Sequence, residues 1–344
     1  MVAALLGSAC SGGDGASSPT TTAASTTTTT ATSSAPEGEV ATSAPVPSAG
    51  CGTSTAAAVS LERRTLPGSD RWYLVTIPAT HEGTTPLPLV LDFHGLSEGA
   101  EVHTRTSGIG PYAEAHDFVA VLPNGTGSPV RWAIDPDRTA NADLVFVDQL
   151  LDHLEADLCI DTSRVYATGL SNGALLSSVI ACTMADRFAA VAPVAGIAAP
   201  EPCTPSRPVP VLAFHGTADP ILLFNGGVGS RLSSVLAGGS ADEVPLPEAD
   251  LDGAGYPASA AAWAERNGCG ADHVDSERTP SMIERSWDCP DDAVVLFDIM
   301  VGGGHSWPGS DFMNSIGQIV GPTDMSVDGT DVIWRFFQRF ALPG

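Results

Sequence analysis

The 344-residue chain contains no lysine, so its 15 basic residues are all arginine, set against 40 aspartates and glutamates. Phosphate-loop lysines and Schiff-base catalysis are therefore excluded. A formal charge of −25 also excludes nucleic acid as a partner, because binding there is driven by cations meeting phosphates. The acidity reads instead as that of a well-solvated, exported protein. No stretch beyond residue 50 is long and apolar enough to span a bilayer. No Cys-x-x-Cys occurs to suggest a metal knuckle, so neither metal nor cofactor is expected.

What is present divides the chain in three. Residues 1–10 carry a short apolar run and small residues before Cys10, the pattern of a truncated lipoprotein or secretory signal, lacking a basic leader and with Leu6 one position out of register. Lipidation of Cys10 would tether the protein to a membrane. Residues 11–50 are dominated by Ser, Thr, Ala, Gly and Pro, too poor in apolar groups to repay ordering, and read as a disordered linker. Residues 51–344 have the texture of a folded domain with 43% hydrophobic content across the chain. Six cysteines remain there: Cys51, Cys159, Cys182, Cys203, Cys269 and Cys289. An even number in an exported chain predicts disulfides. Cys269 with Cys289, flanking one connection before the last strand, is the first expected pair, and Cys182 with Cys203 the second.

Within 51–344, strand and helix patterns alternate, which predicts an α/β fold with a mostly parallel central sheet and helices on both faces. Strands are expected at Arg71–Ile77, Leu89–His94, Phe118–Leu122, Pro210–Phe214 and Val294–Met300. Asn141 is positioned to cap a helix to about Leu158 with Leu144, Val147, Leu151 and Leu154 on one face, and a closing helix covers about Thr330–Phe340. Residues 221–256 break this rhythm; a lid and an ordinary long excursion are equally weighted readings.

The chemistry centres on Val165 to Leu176, where a β-rich run meets Gly169-Leu170-Ser171-Asn172-Gly173 and then helix-favouring residues. Such a Gly-x-Ser-x-Gly turn lifts a serine oxygen clear of a strand end. A second match, Gly95-Leu96-Ser97-Glu98-Gly99, follows another apolar run, so context must choose. Ser171 is favoured because an acid and a histidine follow it in the required order: Asp219 in His215-Gly216-Thr217-Ala218-Asp219, and His305 after Gly302-Gly303-Gly304. Asp298 is the rival acid, expected to face solvent or a helix cap. His94 and His215 read as structural turn residues. Oxyanion donors are expected from the backbone N–H groups of Asn172 and Leu96, and Trp307, two residues after His305, is expected to line the substrate pocket, with loop packing as its alternative and Trp132 a weaker case.

The stretches Pro88–Gly95, Leu122–Gly125, the elbow, Arg187–Gly196, His215–Asp219 and Gly303–Gly309 occur in one order that resembles the polyhydroxybutyrate depolymerase and feruloyl esterase group of secreted α/β-hydrolases. The resemblance covers about residues 51 to 344 and implies the α/β-hydrolase fold and a serine carboxylesterase. It leaves open hydroxyacid polyesters against feruloyl or acetyl esters of plant polysaccharide. Two other readings compete: a peptidase of the prolyl oligopeptidase type, for whose extra domain this chain has no room, and a non-catalytic surface lipoprotein on the same fold.

Overall fold

The computed structural model describes residues 40–232 and 245–343. Among the described residues ten strands form a single sheet: β1 Val59–Thr65, β2 Trp72–Ile77, β3 Leu87–Phe93, β4 Val119–Pro123, β5 Ile160–Leu170, β6 Ala190–Val194, β7 Val211–Gly216, β8 His273–Thr279, β9 Met282–Trp287 and β10 Val295–Met300. Their spatial order is β1-β2-β4-β3-β5-β6-β7-β10-β9-β8. From β4 to β10 the neighbours run parallel, while the flanking pairs on both sides are antiparallel. The parallel strands are apolar on both faces because both are covered by helices. The outermost strands β1 and β8 instead expose most of their residues and carry charge, which discourages edge-to-edge pairing with other chains.

The helices are α1 Gly99–Ser107, α2 Ile109–His116, α3 Ala142–Asp157, α4 Asn172–Thr183, α5 Tyr256–Arg266, α6 Asp311–Ser315, α7 Gly317–Val320 and α8 Gly329–Phe337. Residues of α3, α4 and α5 join one apolar layer with Leu89, Leu91, Ala167 and Phe297 of the sheet. Residues of α1, α2 and α8 join a second with Val90, Ala120, Tyr166 and Phe214. The alternation along each strand thus feeds two cores. Asn141 caps α3 as its sequence position predicts, its Oδ1 accepting from the N–H groups of Asp143 and Leu144. Leu144, Val147, Leu151 and Leu154 are all buried on the expected face. Asp328 caps α8 in the same way, and the last turn of the predicted closing helix, to Phe340, lies beyond α8. Among the described residues no helix is long and apolar enough to cross a membrane.

Both expected disulfides form, Cys182–Cys203 and Cys269–Cys289, and Cys51–Cys159 completes the set. The last ties the start of the domain to the entry of β5. One expectation needs revision: the folded body begins before residue 51. The amides of Val46, Ser48 and Gly50 donate to Asp161, Ile160 and Glu155, and the Arg164 guanidinium binds the carbonyls of Ala41 and Ser43. Small polar residues mimic a linker in composition, yet here their backbone is held by β5 and by the end of α3. Residues 1–10, Cys10 and the linker up to residue 39 lie outside the described residues. So does the middle of the 221–256 segment. Its described ends are held down, with the Asn225 side chain bonded to the backbone of Asp250 and Ala254.

Candidate active site

The residues singled out from the sequence converge on one edge of the sheet, where the parallel strands end. Ser171 follows β5, Asp219 lies on the loop after β7, and His305 lies on the loop after β10; β6 fills the gap between β5 and β7. Loops at the carboxyl ends of parallel strands are where α/β folds place their sites.

Ser171 occupies the turn between β5 and α4 with φ 57° and ψ −116°, a conformation that L-residues rarely adopt. Such strain persists only where surrounding structure enforces it. Here the enforcement comes from close packing: a side chain on Gly173 would start 2.0 Å from the Phe93 carbonyl oxygen. The first turn of α4 therefore lies directly against the end of β3. Ser171 is only partly buried, whereas His305 and Asp219 are 4% and 1% exposed.

Asp219 Oδ2 accepts from His305 Nδ1 at 2.7 Å, and Oδ1 accepts from the N–H groups of Ile221 and Leu222 at 2.8 Å each. The carboxylate is thus anchored through one oxygen and presents the other to the imidazole. In a neutral ring that contact calls for the proton on Nδ1, which would leave Nε2 as the acceptor. The glycine run before His305 lets its loop lie on β7, since a side chain on Gly216 would start 2.2 Å from the Gly303 carbonyl oxygen. Ala218 N–H donates to that same oxygen at 2.8 Å, joining the acid loop to the histidine loop.

His215 sits closer to this pair than its reading as a turn residue suggests. Its Nε2 donates to the Leu222 carbonyl at 2.9 Å and lies 3.3 Å from Asp219 Oδ2. Burial pushes its pKa down to about 4, so the ring is neutral near pH 7, stacked on Tyr256 at 3.7 Å. His94 is likewise buried and lowered to about 4, with Nδ1 donating to Gly95 O at 2.7 Å and Nε2 accepting from Gly125 N–H at 2.9 Å. It organises the loop that carries Gly95 and Leu96. This loop borders the serine turn: a Cβ on Gly95 would lie 3.6 Å from Ser171 Cβ.

Asn172, expected to act through its backbone N–H, also has side-chain partners. Its side chain pairs with the Trp132 backbone, Oδ1 accepting from N–H at 2.7 Å and Nδ2 donating to the carbonyl at 3.1 Å. The Trp132 indole N–H in turn donates to His94 O at 3.0 Å. Trp132 therefore bridges the two expected oxyanion segments. Trp307, expected to line the substrate pocket, is instead 1% exposed; its indole N–H donates to Thr330 Oγ1 at 3.0 Å and its ring packs edge-on to His103 at 6.0 Å. Its packing alternative is the one the structure realises.

The rival acid Asp298 is fully buried in β10, not solvent-facing, and neither carboxylate oxygen has a hydrogen-bond partner. Burial, with nearby Glu284, raises its pKa well above 3.8, so it is held as the neutral acid. Ser97, in the second Gly-x-Ser-x-Gly match, has φ 66° but is exposed, and its N–H is bonded to Val130 O at 2.8 Å. Three further residues at this edge gave little signal in the sequence: Asp92, Glu98 and His103. A carboxylate inside the apolar run of β3 was their one visible sign.

The esterase PHB depolymerase family model matches residues 73–262, more than half of the chain. Feruloyl esterase B of Piromyces equi is 28% identical over 244 residues, 69% of this chain and 42% of that protein, so the chain spans less than half of that relative. NocK of Nocardia uniformis subsp. tsuyamanensis, which carries an esterase name, is 30% identical over 267 residues, covering 75% of each. Among solved structures, an acetyl xylan esterase from Aspergillus awamori superposes with a TM-score of 0.52 at 14% identity, covering 76% of this chain and all of that one, which supports the α/β-hydrolase fold. The chain belongs to the esterase PHB depolymerase family, a family of carboxylic ester hydrolases.

Proposed function

We propose that the protein is an exported serine carboxylesterase in which Ser171 is the nucleophile, His305 the general base and acid, and Asp219 the residue that orients the imidazole. The observation that carries this is the 2.7 Å hydrogen bond from His305 Nδ1 to a fully buried, loop-anchored carboxylate, on the same sheet edge as a serine held in a strained strand-to-helix turn.

In this reading His305 Nε2 takes the proton of the Ser171 hydroxyl as its oxygen attacks the ester carbonyl, and Asp219 offsets the charge formed on the ring. The carbonyl oxygen, now negative, receives the backbone N–H groups of Asn172 and Leu96. The Asn172 donor stands at the start of α4, where the helix dipole also favours negative charge. Collapse expels the alcohol, protonated by His305, and leaves an acyl-serine. Water then attacks the acyl group with His305 again as base, releasing the acid and restoring the serine. The cycle needs no cofactor.

The substrate proposed is an acyl ester of a small alcohol or of a plant polysaccharide, feruloyl or acetyl, with hydroxyacid oligoesters as the other member of the same class. The feruloyl esterase name of one relative supports the first. Export is supported by three disulfides, which persist in oxidising compartments. Attachment through a lipidated Cys10 belongs to the same proposal. The test compares the full-length protein with Ser171→Ala on p-nitrophenyl acetate, butyrate and octanoate and on methyl ferulate. Turnover is expected in the first and lost in the second, with short acyl chains and ferulate preferred; equal rates in both would end the proposal.

A further inference from the structure

The loop expected to donate to the oxyanion is held from beneath by a buried ionic relay. His103, on α1, has no solvent exposure and lies between two carboxylates: its Nε2 is 2.8 Å from Asp92 Oδ1 and its Nδ1 is 3.1 Å from Glu98 Oε2. Glu98 Oε2 also accepts from Gly95 N–H at 2.7 Å, while its other oxygen accepts from the Thr106 hydroxyl. Asp92 belongs to β3, a rigid central strand. The relay therefore runs from the sheet through α1 to the amide of Gly95, whose Cα neighbours the serine turn.

We propose that Glu98 is a positioning residue for the oxyanion loop, fixing Gly95 N–H so that the next amide, Leu96 N–H, stays aimed at the developing charge. This rests on the esterase reading above. Both polar groups of the Gly95 peptide ends are occupied, its N–H by Glu98 and its carbonyl by the His94 ring. Ser97 N–H is tied to Val130 O at 2.8 Å. The peptide planes before and after Leu96 are thus clamped. An oxyanion donor is useful only if it stands where charge will form before it forms, and misplacement by a fraction of an ångström removes much of its effect.

The charge state suits this task. Burial disfavours the charged His103 ring, but Asp92 and Glu98 outweigh it and lift its pKa to about 10. Burial likewise opposes ionisation of Glu98, but His103, then Thr106 and Gly95 N–H, bring it down to about 2. Glu98 therefore meets the amide as a full carboxylate, the stronger acceptor. Ionic hydrogen bonds across buried groups are directional, and removing one partner leaves the others unsatisfied.

The test uses the full-length protein with Glu98→Gln, which keeps the shape and one acceptor but loses the charge, and Thr106→Val, which removes only the donor to the other carboxylate oxygen. Each is measured for kcat and KM on p-nitrophenyl butyrate, for melting temperature, and for the Ki of an alkyl trifluoromethyl ketone, whose serine adduct carries an oxyanion. For Glu98→Gln, kcat is expected to fall by about 10- to 100-fold with KM within threefold, and the ketone Ki to rise by a similar factor. Thr106→Val should move all three quantities the same way by a smaller factor, giving the same reading should Glu98→Gln not fold. Glu98→Asp, whose shorter carboxylate retains the charge, should recover part of the ketone affinity. Unchanged kcat and Ki in folded variants, beside an inactive Ser171→Ala, would overturn the positioning role alone. Wild-type turnover by Ser171→Ala would overturn the esterase reading and this inference with it.

Discussion

Replacing Asp219 by Asn separates the acid's orienting role from its bulk. The side chain has two engaged oxygens, so the amide must choose. With Nδ2 toward His305, two N–H donors would face each other, and the imidazole would switch to the tautomer with its proton on Nε2, unable to accept from Ser171. With Nδ2 toward the loop, it would oppose the N–H groups of Ile221 and Leu222, each now 2.8 Å from Oδ1, and the loop that positions the side chain would shift. Either choice disables the base. The loss in kcat is expected to be about 10⁴-fold, equivalent to about 5.5 kcal/mol of transition-state stabilisation, with KM changed little. Initial rates on p-nitrophenyl butyrate, with Ser171→Ala as the background, measure this range. Asp298→Asn is the paired control and should stay within twofold of wild type. A kcat for Asp219→Asn within tenfold of wild type would refute the assignment of the acid.

The remaining predictions concern stability. Asp298 keeps its proton in the fold to a pH well above 3.8, whereas the unfolded chain releases it near that value, so its contribution is most favourable below pH 4 and is lost as pH rises. The melting temperature of Asp298→Asn should therefore gain on that of wild type between pH 4 and 7; a gap independent of pH would contradict the buried neutral acid. Removing the Cys51–Cys159 bridge by paired Ser substitution opens a loop of 108 residues and should cost about 4–5 kcal/mol in denaturant melts, against about 3 kcal/mol for Cys269–Cys289, which closes 20 residues. Equal losses would show that chain-entropy loss does not set the ranking.

Much of this architecture was legible because it rests on local pattern. Strands β3, β4, β7 and β10 are short apolar runs buried on both faces, and α3 shows its cap and its apolar face within one turn-by-turn repeat. Asp219 and His305 were reachable because chain order and strand ends constrain them, and their side chains do meet. The β8–β9 hairpin was not legible: its charged residues alternate without an apolar face, and its pairing is stabilised by contacts such as Arg285 to Asp275, 2.8 Å. Glu98 and His103 were hidden for a related reason. Their contacts depend on which residues lie across space, and a glutamate in a loop or a histidine on a helix has no period. Nearness in sequence to His305 does not place Trp307 near substrate, since its indole N–H points into the core toward Thr330.

Covalent capture tests whether Ser171 is the nucleophile. Full-length protein is treated with diethyl p-nitrophenyl phosphate, digested and sequenced by mass spectrometry, with released p-nitrophenol counted. The Ser171 assignment requires one equivalent released, a diethylphosphoryl group on Ser171, none on Ser97, and complete loss of ester turnover. An unmodified Ser171 in fully inhibited protein, or no stoichiometric release from protein that turns over esters, would contradict it.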